Sequence, residues 1–487
     1  LNKHSGWNIS GSTSGTTFYW KGLHSASWND RLNWELGGAT ALCIPGPMDT
    51  VVFDSLYFSV PGIHDTVVVE TNAYCNTMIW DSTINGSPAL LLNGDLTATG
   101  SVVLSDTLAV IYTGNFQSTD INAPCLILAP QNGASNFMPC KEINVNLSIQ
   151  AKKIKDTVCL LKDLSMNIFS TITILSGTFT TNKKNLNAGI ITTAGNKIKN
   201  VDFSNSHITA AYNFIMQDNS LLNLKMASSI LVMDDNSFYY NIFNGGGHKY
   251  AGVEFRSRPK DTTGVPYKAA IISSDTISLL KINPGIRVQF NPGITQVFDS
   301  IIINGTCLDS IYLQTTGIAT LRKTGAAGFI GKCLNVKNIT VTPSGASALF
   351  SKDLGNNFGW VFDTAKFVTS YFSLPPTTCF NDSIHFTNLT STYGNPVDLD
   401  FIWSFGDNDS SFSNHPSHLY PNSSAYIVTL VSTDTTTGCF DIYSDSSLTI
   451  YNPEVTLSAS EIDNTICLGD SVFFNAYSTN ASPLLYE

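Results

Sequence analysis

The sequence predicts an all-β protein: a right-handed parallel β-helix (β-solenoid) with an aromatic N-terminal cap, followed by immunoglobulin-like β-sandwich domains. The first observation is the stretch Thr171–Ala211, where short β-branched and apolar runs alternate with Gly, Asn, Ser and Lys. No helical i, i+3, i+4, i+7 spacing occurs there. The second observation is that the same rhythm continues on both sides, and runs this short become stable when successive coils stack. The third is a change after residue 363 to about seven short alternating strands with turn signals between them.

Composition narrows the functional class. The 487 residues are 43% hydrophobic, so the chain can bury large cores and should hold more than one domain. Only 13% are charged, and 26 Lys and Arg against 37 Asp and Glu leave a net charge of -11. We therefore expect no nucleic-acid partner. Abundant Thr, Ser and Asn favour exposed strands outside the cell, and no apolar run reaches the length of a membrane span.

The N-terminus and the cysteines point to an exported chain. Residue 1 is Leu and the first residues are no signal peptide, so we expect a removed signal or a start inside a longer chain. Ten cysteines without a CxxC motif favour disulfides over zinc. One of Cys125, Cys140 and Cys159 is expected to be a buried free thiol. The nearest pairs in sequence, which are the predicted disulfides, are Cys43 with Cys75, Cys307 with Cys333, and Cys379 with Cys439.

Residues 1–60 are predicted to form the N-terminal cap. They contain Trp20, Trp28 and Trp34 beside Pro-Gly turns. Since a solenoid must cover its first coil, the favoured interpretation is that these aromatic side chains close the end of the core. The alternative is an exposed sugar-binding platform.

Residues 61–365 are predicted to form the β-helix. Runs such as Val67–Val69, Leu90–Leu92, Ile230–Val232 and Ile301–Ile303 read as strands between turn residues. At roughly 25 residues per coil this predicts about a dozen coils at a spacing of ~4.8 Å, a rod on the order of 50 Å long.

Four segments within residues 17–363 resemble a known group of modules. They are YWKGLHSASWNDRLNW with PGPMDTVVFD, FNGGGHKYAGVEF, INPGIRVQFNPGITQVF and NNFGWVFD. They resemble the β-helical modules of very large surface proteins exported by type IX secretion, including gliding-motility adhesins of the SprB type. The resemblance covers most of residues 17–363 and implies export, surface attachment, and contact with the secretion and motility machinery of the outer membrane. It brings no catalytic residue.

Residues 366–452 are predicted to be one sandwich domain. Phe401, Trp403 and Phe405 alternate to one face, and a later strand does the same, which predicts the two inner faces of one core. The domain resembles a PKD (polycystic kidney disease) domain, whose signature is W-D-F-G-D-G, then P-x-H-x-Y, then Y-x-V-x-L. Ser404 and Asn408-Asp409 depart from that pattern. The matching residues are Trp403, Phe405, Gly406, Asp407, Pro416, His418, Tyr420, Tyr426, Val428 and Leu430.

Residues 453–487 read as the start of a further immunoglobulin-like domain that is incomplete here. Its first strands are present in NPEVTLSASEIDNTICLGDSVFFNAYSTN. We expect Cys467 to pair with a cysteine beyond Glu487.

Catalytic motifs are absent from the sequence: there is no G-x-S-x-G and no H-E-x-x-H. Asp407 and Asp409 alternate as in a calcium loop, but Phe412 and His418 stand where an EF-hand needs Gly and Glu. Calcium there is an alternative to a solvated hairpin turn, and no other cofactor or metal is expected.

The best candidate for an enzyme is Asp234-Asp235 with Glu254, Arg256 and Arg258. The last three point to one face of a strand, and β-helices carry glycan lyases and hydrolases on such faces. The alternative is a solvent-exposed cross-strand pair.

The sequence thus predicts a non-enzymatic, extracellular adhesin segment at the cell surface, with a glycan or another surface as its ligand. The weak ligand-surface candidates are the three tryptophans and the Glu254 cluster. A polysaccharide-degrading enzyme and a purely structural spacer are the alternatives.

Overall fold

The computed structural model describes residues 15–58, 65–84, 87–112, 124–140, 143–217, 220–234, 241–256, 267–363, 367–374, 378–393, 398–436, 438–452, 454–459, 468–469 and 471–479. These residues form two compact units, the first from Leu1–Gly305 and Asp309–Asp363, the second from Thr306–Leu308 and Thr364–Glu487. Strands dominate both units. In these ranges no helix is long and apolar enough to cross a membrane.

The first unit begins with a short antiparallel segment. A 3-10 turn, Arg31–Asn33, and a helical turn, Ser55–Phe58, interrupt it. Its strands are β1 (Thr17–Trp20), β2 (Trp34–Leu36), β3 (Ala39–Thr40) and β4 (Thr50–Phe53).

The strands that follow build the solenoid. In its first half they are β5 (Thr66–Val69), β6 (Ala73–Cys75), β7 (Thr77–Trp80), β8 (Ala89–Leu92), β9 (Leu96–Ala98), β10 (Val102–Val103), β11 (Ala109–Ile111), β12 (Cys125–Leu128), β13 (Ala134–Met138), β14 (Asn146–Gln150), β15 (Thr157–Leu160), β16 (Leu164–Ser165), β17 (Thr171–Thr180), β18 (Leu186–Thr193), β19 (Lys199–Asp202) and β20 (His207–Ile215). In its second half they are β21 (Leu222–Lys225), β22 (Ile230–Asp234), β23 (Asn241–Asn244), β24 (Lys249–Arg256), β25 (Tyr267–Ile271), β26 (Thr276–Ile282), β27 (Ile286–Phe290), β28 (Thr295–Ile303), β29 (Ile311–Lys323), β30 (Ile330–Lys332), β31 (Leu334–Thr342), β32 (Ala346–Leu349), β33 (Lys352–Asp353) and β34 (Trp360–Asp363).

Parallel pairing between coils confirms the predicted β-solenoid, which has about 11 turns. Within β17, Ile172 lies between Leu147 of β14 and Ile191 of β18, and all three side chains are buried. The intervening Thr173 points outward and is in register with Thr192. Because side chains alternate along a strand, each short apolar run adds one layer to a continuous core while its polar residues form the outer wall.

The first coil is closed by aromatic side chains, as the cap interpretation predicts. Trp20, Trp28 and Trp34 are fully buried, and the ring centroids of Trp20 and Trp28 each lie 5.0 Å from that of Trp34. The Trp34 Nε1–H donates to the Trp28 carbonyl oxygen at 2.8 Å. Strand β2 pairs antiparallel with both β1 and β3. This segment therefore ends the parallel ladder with a different strand direction and a dense aromatic layer.

Asp275 fixes the turn that leads into β24. The buried carboxylate accepts hydrogen bonds from the Gly247 N–H at 2.8 Å and the Ser273 hydroxyl at 2.6 Å. Burial raises the pKa of Asp275, and these hydrogen bonds only partly oppose that rise. A Cβ at Gly245 would lie 2.3 Å from Asp275 Oδ1, so this position requires glycine. The Gly-rich segment thus sets where β24 begins.

Up to residue 452, the described part of the second unit contains a five-stranded sheet in the order β37-β45-β44-β41-β42 and three two-stranded sheets. The two-stranded sheets pair β35 with β40, β36 with β39, and β38 with β43. The strands are β35 (Val368–Thr369), β36 (Phe372–Ser373), β37 (Thr378–Cys379), β38 (Ile384–His385), β39 (Thr387–Asn388), β40 (Ser391–Thr392), β41 (Leu399–Ser404), β42 (Ser410–Ser411), β43 (Ser417–His418), β44 (Ala425–Asp434) and β45 (Phe440–Tyr451).

The core of this unit differs from prediction in one respect. Trp403 and Leu430 are buried as expected, but they lie directly opposite each other on neighbouring strands of one sheet. The facing side of the core comes from Phe372 and Ile384, on strands of the small sheets, and from Phe386, which lies between β38 and β39. Alternation identifies which residues point inward but does not show which strands are neighbours, so the assignment of β41 and β44 to opposite faces was wrong.

In residues 453–487, β46 (Glu454–Ala459) and β47 (Phe474–Thr479) form an antiparallel pair. Cys467, with its predicted partner beyond residue 487, lies outside the described residues.

The disulfide connectivity corrects the prediction. Cys307 is bonded to Cys439 across 132 residues of sequence, and not to Cys333. Cys379 is likewise free, as are Cys43 and Cys75. Cys125 and Cys159 are also free thiols, so at least two of the three cysteines Cys125, Cys140 and Cys159, and not one, lack a disulfide. Proximity in sequence misled here because Thr306–Leu308 belongs to the second unit, although the chain around it belongs to the first.

Candidate ligand-binding surface of the solenoid

The three N-terminal tryptophans do not form a ligand platform. Each indole is 0% exposed, so none can stack on a sugar ring. The prediction that Trp20, Trp28 and Trp34 form a ligand surface is therefore wrong. Burial of such large apolar side chains instead stabilises the first coil.

The second predicted surface, around Glu254, is present on the outer wall of the solenoid. Glu254 on β24 and Lys281 on β26 lie in register, and Lys281 Nζ is 3.1 Å from Glu254 Oε1. The Arg256 guanidinium lies 3.5 Å from Oε2, and Asn283 Nδ2 donates to Oε1 at 3.3 Å. Strand alternation brings Glu254 and Arg256 to one face, and parallel register adds Lys281 from the next coil.

Protein groups already neutralise the Glu254 carboxylate. Its side chain is only 14% exposed, and this burial raises its pKa. The hydrogen bonds and charges of Lys281 and Arg256 outweigh burial, so the pKa of Glu254 lies below its usual value. A glycosidase general acid needs a carboxyl whose pKa is raised. The geometry at Glu254 is instead that of a wall ion pair with two cations.

A shallow recess with room for about one water molecule lies next to this cluster. Its described lining includes the cationic side chains Arg256 and Lys268, the amide of Asn241, and the apolar side chains Met233, Phe255, Ala269 and Ile286. No carboxylate lines its described part. A glycosidase requires two carboxyl groups across the scissile bond, whereas this recess offers positive charge and an amide.

The other members of the predicted cluster are only partly described. Asp234, at the end of β22, lies in register with Arg256. Asp235 and Arg258 lie outside the described residues, so their part in the cluster stays a prediction.

A row of outward residues that the sequence analysis missed extends along the wall from the recess. Neighbouring members lie in register on successive coils. The Arg287 guanidinium lies 4.6 Å from the centre of the Tyr312 ring. We call this row the basic ladder; its members are Lys268, Arg287, Tyr312, Asn335 and Lys352. They are 17 to 25 residues apart in sequence, so only the strand register brings them together.

In the second unit the PKD-like motif residues converge on one buried pair. His418 Nε2–H donates to Asp407 Oδ2 at 2.7 Å, and both side chains are less than one-tenth exposed. The His418 ring is stacked on Phe405, with 4.1 Å between ring centroids. The Tyr420 hydroxyl donates to the Phe405 carbonyl oxygen at 3.0 Å. The motif therefore tethers the β41–β42 turn to the segment that carries His418.

The weak calcium candidates Asp407 and Asp409 both accept hydrogen bonds from protein groups. Burial raises the pKa of Asp407, but the hydrogen bonds from His418 and from the Asp409 N–H leave it below its usual value. The Asp409 side chain is 69% exposed, and its Oδ1 accepts the Ser410 N–H at 2.8 Å. Both carboxylates thus hold the hairpin turn through hydrogen bonds within the protein. Calcium binding stays a prediction.

Comparison with known proteins identifies one part of the chain. A family model for the PKD domain matches residues 372–445. A crystal structure of the PKD1 domain of Vibrio anguillarum Epp is similar at 21% sequence identity, covering 18% of this chain and 94% of that chain, with a TM-score of 0.15. No curated protein matches the chain.

The chain is therefore an all-β protein with a β-solenoid and a PKD domain. PKD domains are typical of extracellular proteins. This combination of domains fits a surface-exposed, adhesin-like protein.

Proposed function

We propose that this chain is part of an exported cell-surface adhesin, and that it mediates attachment without catalysis. The solenoid wall supplies the contact surface, and the PKD domain with the β-sandwich strands after it serves as the stalk. Export by type IX secretion and a part in gliding motility belong to this proposal and rest on the sequence resemblance of residues 17–363.

One observation carries the non-catalytic part of the proposal. Glu254 belongs to the best enzyme candidate on the outer wall. Its carboxylate oxygens are contacted by Arg256, Lys281 and Asn283. A carboxylate held in this way stabilises the wall and has no unoccupied oxygen directed at a substrate. The alternative enzyme would have to break these contacts before each reaction.

The test uses the whole chain on coated beads and in solution. The expected result is adhesion of the beads to glycan-coated and abiotic surfaces, together with no release of reducing ends or unsaturated products from acidic or neutral polysaccharides. Polysaccharide turnover that vanishes in Glu254→Ala would overturn the proposal in favour of a polysaccharide-degrading enzyme. Absence of adhesion by the wild-type chain on every surface would favour a structural spacer.

A further inference from the structure

The basic ladder gives this acidic chain a local surface of opposite charge. Three of its five members are cations, although acidic residues outnumber basic ones in the whole sequence by 37 to 26. The adjacent outward row, in register on the same sheet, adds two glutamines and one more cation, with no carboxylate in either row. Its members are Ala270, Gln289, Gln314 and Lys337.

Three cations of these two rows are not neutralised by an ion pair. Arg287, Lys337 and Lys352 form no ion pair with any residue in the described part of the chain. The nearest acidic side chain in sequence is Asp353, whose Oδ1 accepts hydrogen bonds from the Gly355 N–H and the Asn357 amide. The opposite is true at Glu254, where two cations share one carboxylate.

We propose that the basic ladder and its adjacent row bind an acidic polysaccharide that carries carboxylates. This inference rests on the proposed adhesive function and names the ligand class of the same wall. Successive members are one strand spacing apart, ~4.8 Å, so a repeating anionic chain laid along the solenoid axis meets a new donor at each coil. Guanidinium and ammonium groups bind the carboxylates, and the amides of Gln289, Gln314 and Asn335 pair with sugar hydroxyls.

The side chains favour a polysaccharide over a single-stranded nucleic acid. Binding of single strands relies on aromatic rings on which successive bases stack. Tyr312 is the one aromatic residue among the nine positions, and the Arg287 guanidinium lies over its ring. The same cation–π contact holds the guanidinium in place and reduces the entropy lost when it binds a carboxylate.

The experiment measures binding of polygalacturonate to the whole chain by calorimetry. Neutral dextran and oligo-dT serve as comparison ligands. The test variant combines Arg287→Gln, Lys337→Gln and Lys352→Gln. The control variant combines Lys152→Gln, Lys155→Gln and Lys225→Gln, which removes three exposed cations from other parts of the solenoid. Equal thermal unfolding of both variants and the wild-type chain checks that the fold is kept.

The expected result is salt-sensitive binding of polygalacturonate and none of dextran. Affinity should fall about tenfold or more in the test variant and change by less than about twofold in the control. Equal losses in the two variants, binding of oligo-dT as tight as that of polygalacturonate, or no polygalacturonate binding by the wild-type chain would overturn the inference. If beads coated with the chain still adhere in that last case, the inference fails alone; if adhesion is also absent, the proposed function fails with it.

Discussion

Replacing Asp407 by Asn should weaken the PKD domain through the loss of one charge-assisted hydrogen bond. Asp407 accepts the His418 Nε2–H at 2.7 Å in a site where both side chains are almost fully buried. A hydrogen bond to a charged group contributes about 1.5–3 kcal/mol and a neutral one about 0.5–1.5 kcal/mol. Since the Asn side-chain oxygen can still accept a hydrogen bond from His418, the free energy of unfolding should fall by about 1–2 kcal/mol.

Hydrogen exchange measured by mass spectrometry on the whole chain localises this effect. Amides of β44, the central strand next to β41, should exchange about tenfold faster in the variant, because 1.4 kcal/mol corresponds to a factor of ten. Amides of β17 in the solenoid should be unchanged. Asp409→Asn is the matched control, since that carboxylate is in the same turn, mostly exposed, and 3.7 Å from the His418 ring nitrogen. Equal acceleration in the two variants, or none in Asp407→Asn, would refute the reasoning.

The pH dependence of the same pair follows from the lowered pKa of Asp407. A carboxyl whose pKa is lower in the folded than in the unfolded state contributes stability that is fully present above its unfolded value, ~3.9. That stability is lost as the pH falls through the folded pKa. The difference in free energy of unfolding between the wild-type chain and Asp407→Asn should therefore be largest at neutral pH and become smaller below about pH 4. A difference that grows on acidification would contradict this assignment.

Two further predictions concern the solenoid core and the disulfide. Ile174→Ala should lower the free energy of unfolding by about 2–5 kcal/mol because it opens a cavity in a fully buried layer. Thr173→Ala on the outer face should change it by less than about 0.5 kcal/mol. Urea unfolding measures both variants, and equal losses would contradict the inward–outward alternation. Reduction of the bond between Cys307 and Cys439 should lower the free energy of unfolding by about 4 kcal/mol, because the bond closes a loop of 132 residues. Dithiothreitol should lower the melting temperature of the wild-type chain and leave that of Cys307→Ser unchanged; a wild-type chain insensitive to the reductant would contradict this prediction.

The sequence by itself determined the all-β class, the solenoid, and the inward and outward residues. A short run such as Ile172–Ile174 has one apolar face, and that alternation is a local property of the chain. The PKD motif could also be recognised from the sequence. Its residues lie in the core or at its edge, and the turns between them fix their spacing; they include Trp403, Phe405, His418 and Tyr420. The aromatic opening was correctly interpreted as a cap for the same reason, since buried Trp side chains need apolar neighbours.

Only the tertiary structure decided which distant residues become neighbours. The basic ladder joins Lys268 to Lys352 through strand register, and coils of unequal length hide that register from the sequence. The partner of Cys307 is Cys439, because pairing depends on the spatial approach of the two Cα atoms, 4.8 Å apart, and not on sequence distance. The sequence offered Glu254 as a catalytic candidate and as a member of a cross-strand pair, and the register of the next coil brings Lys281 against its carboxylate. Local patterns fix the faces of the strands, whereas the stacking of coils fixes the chemistry of the wall.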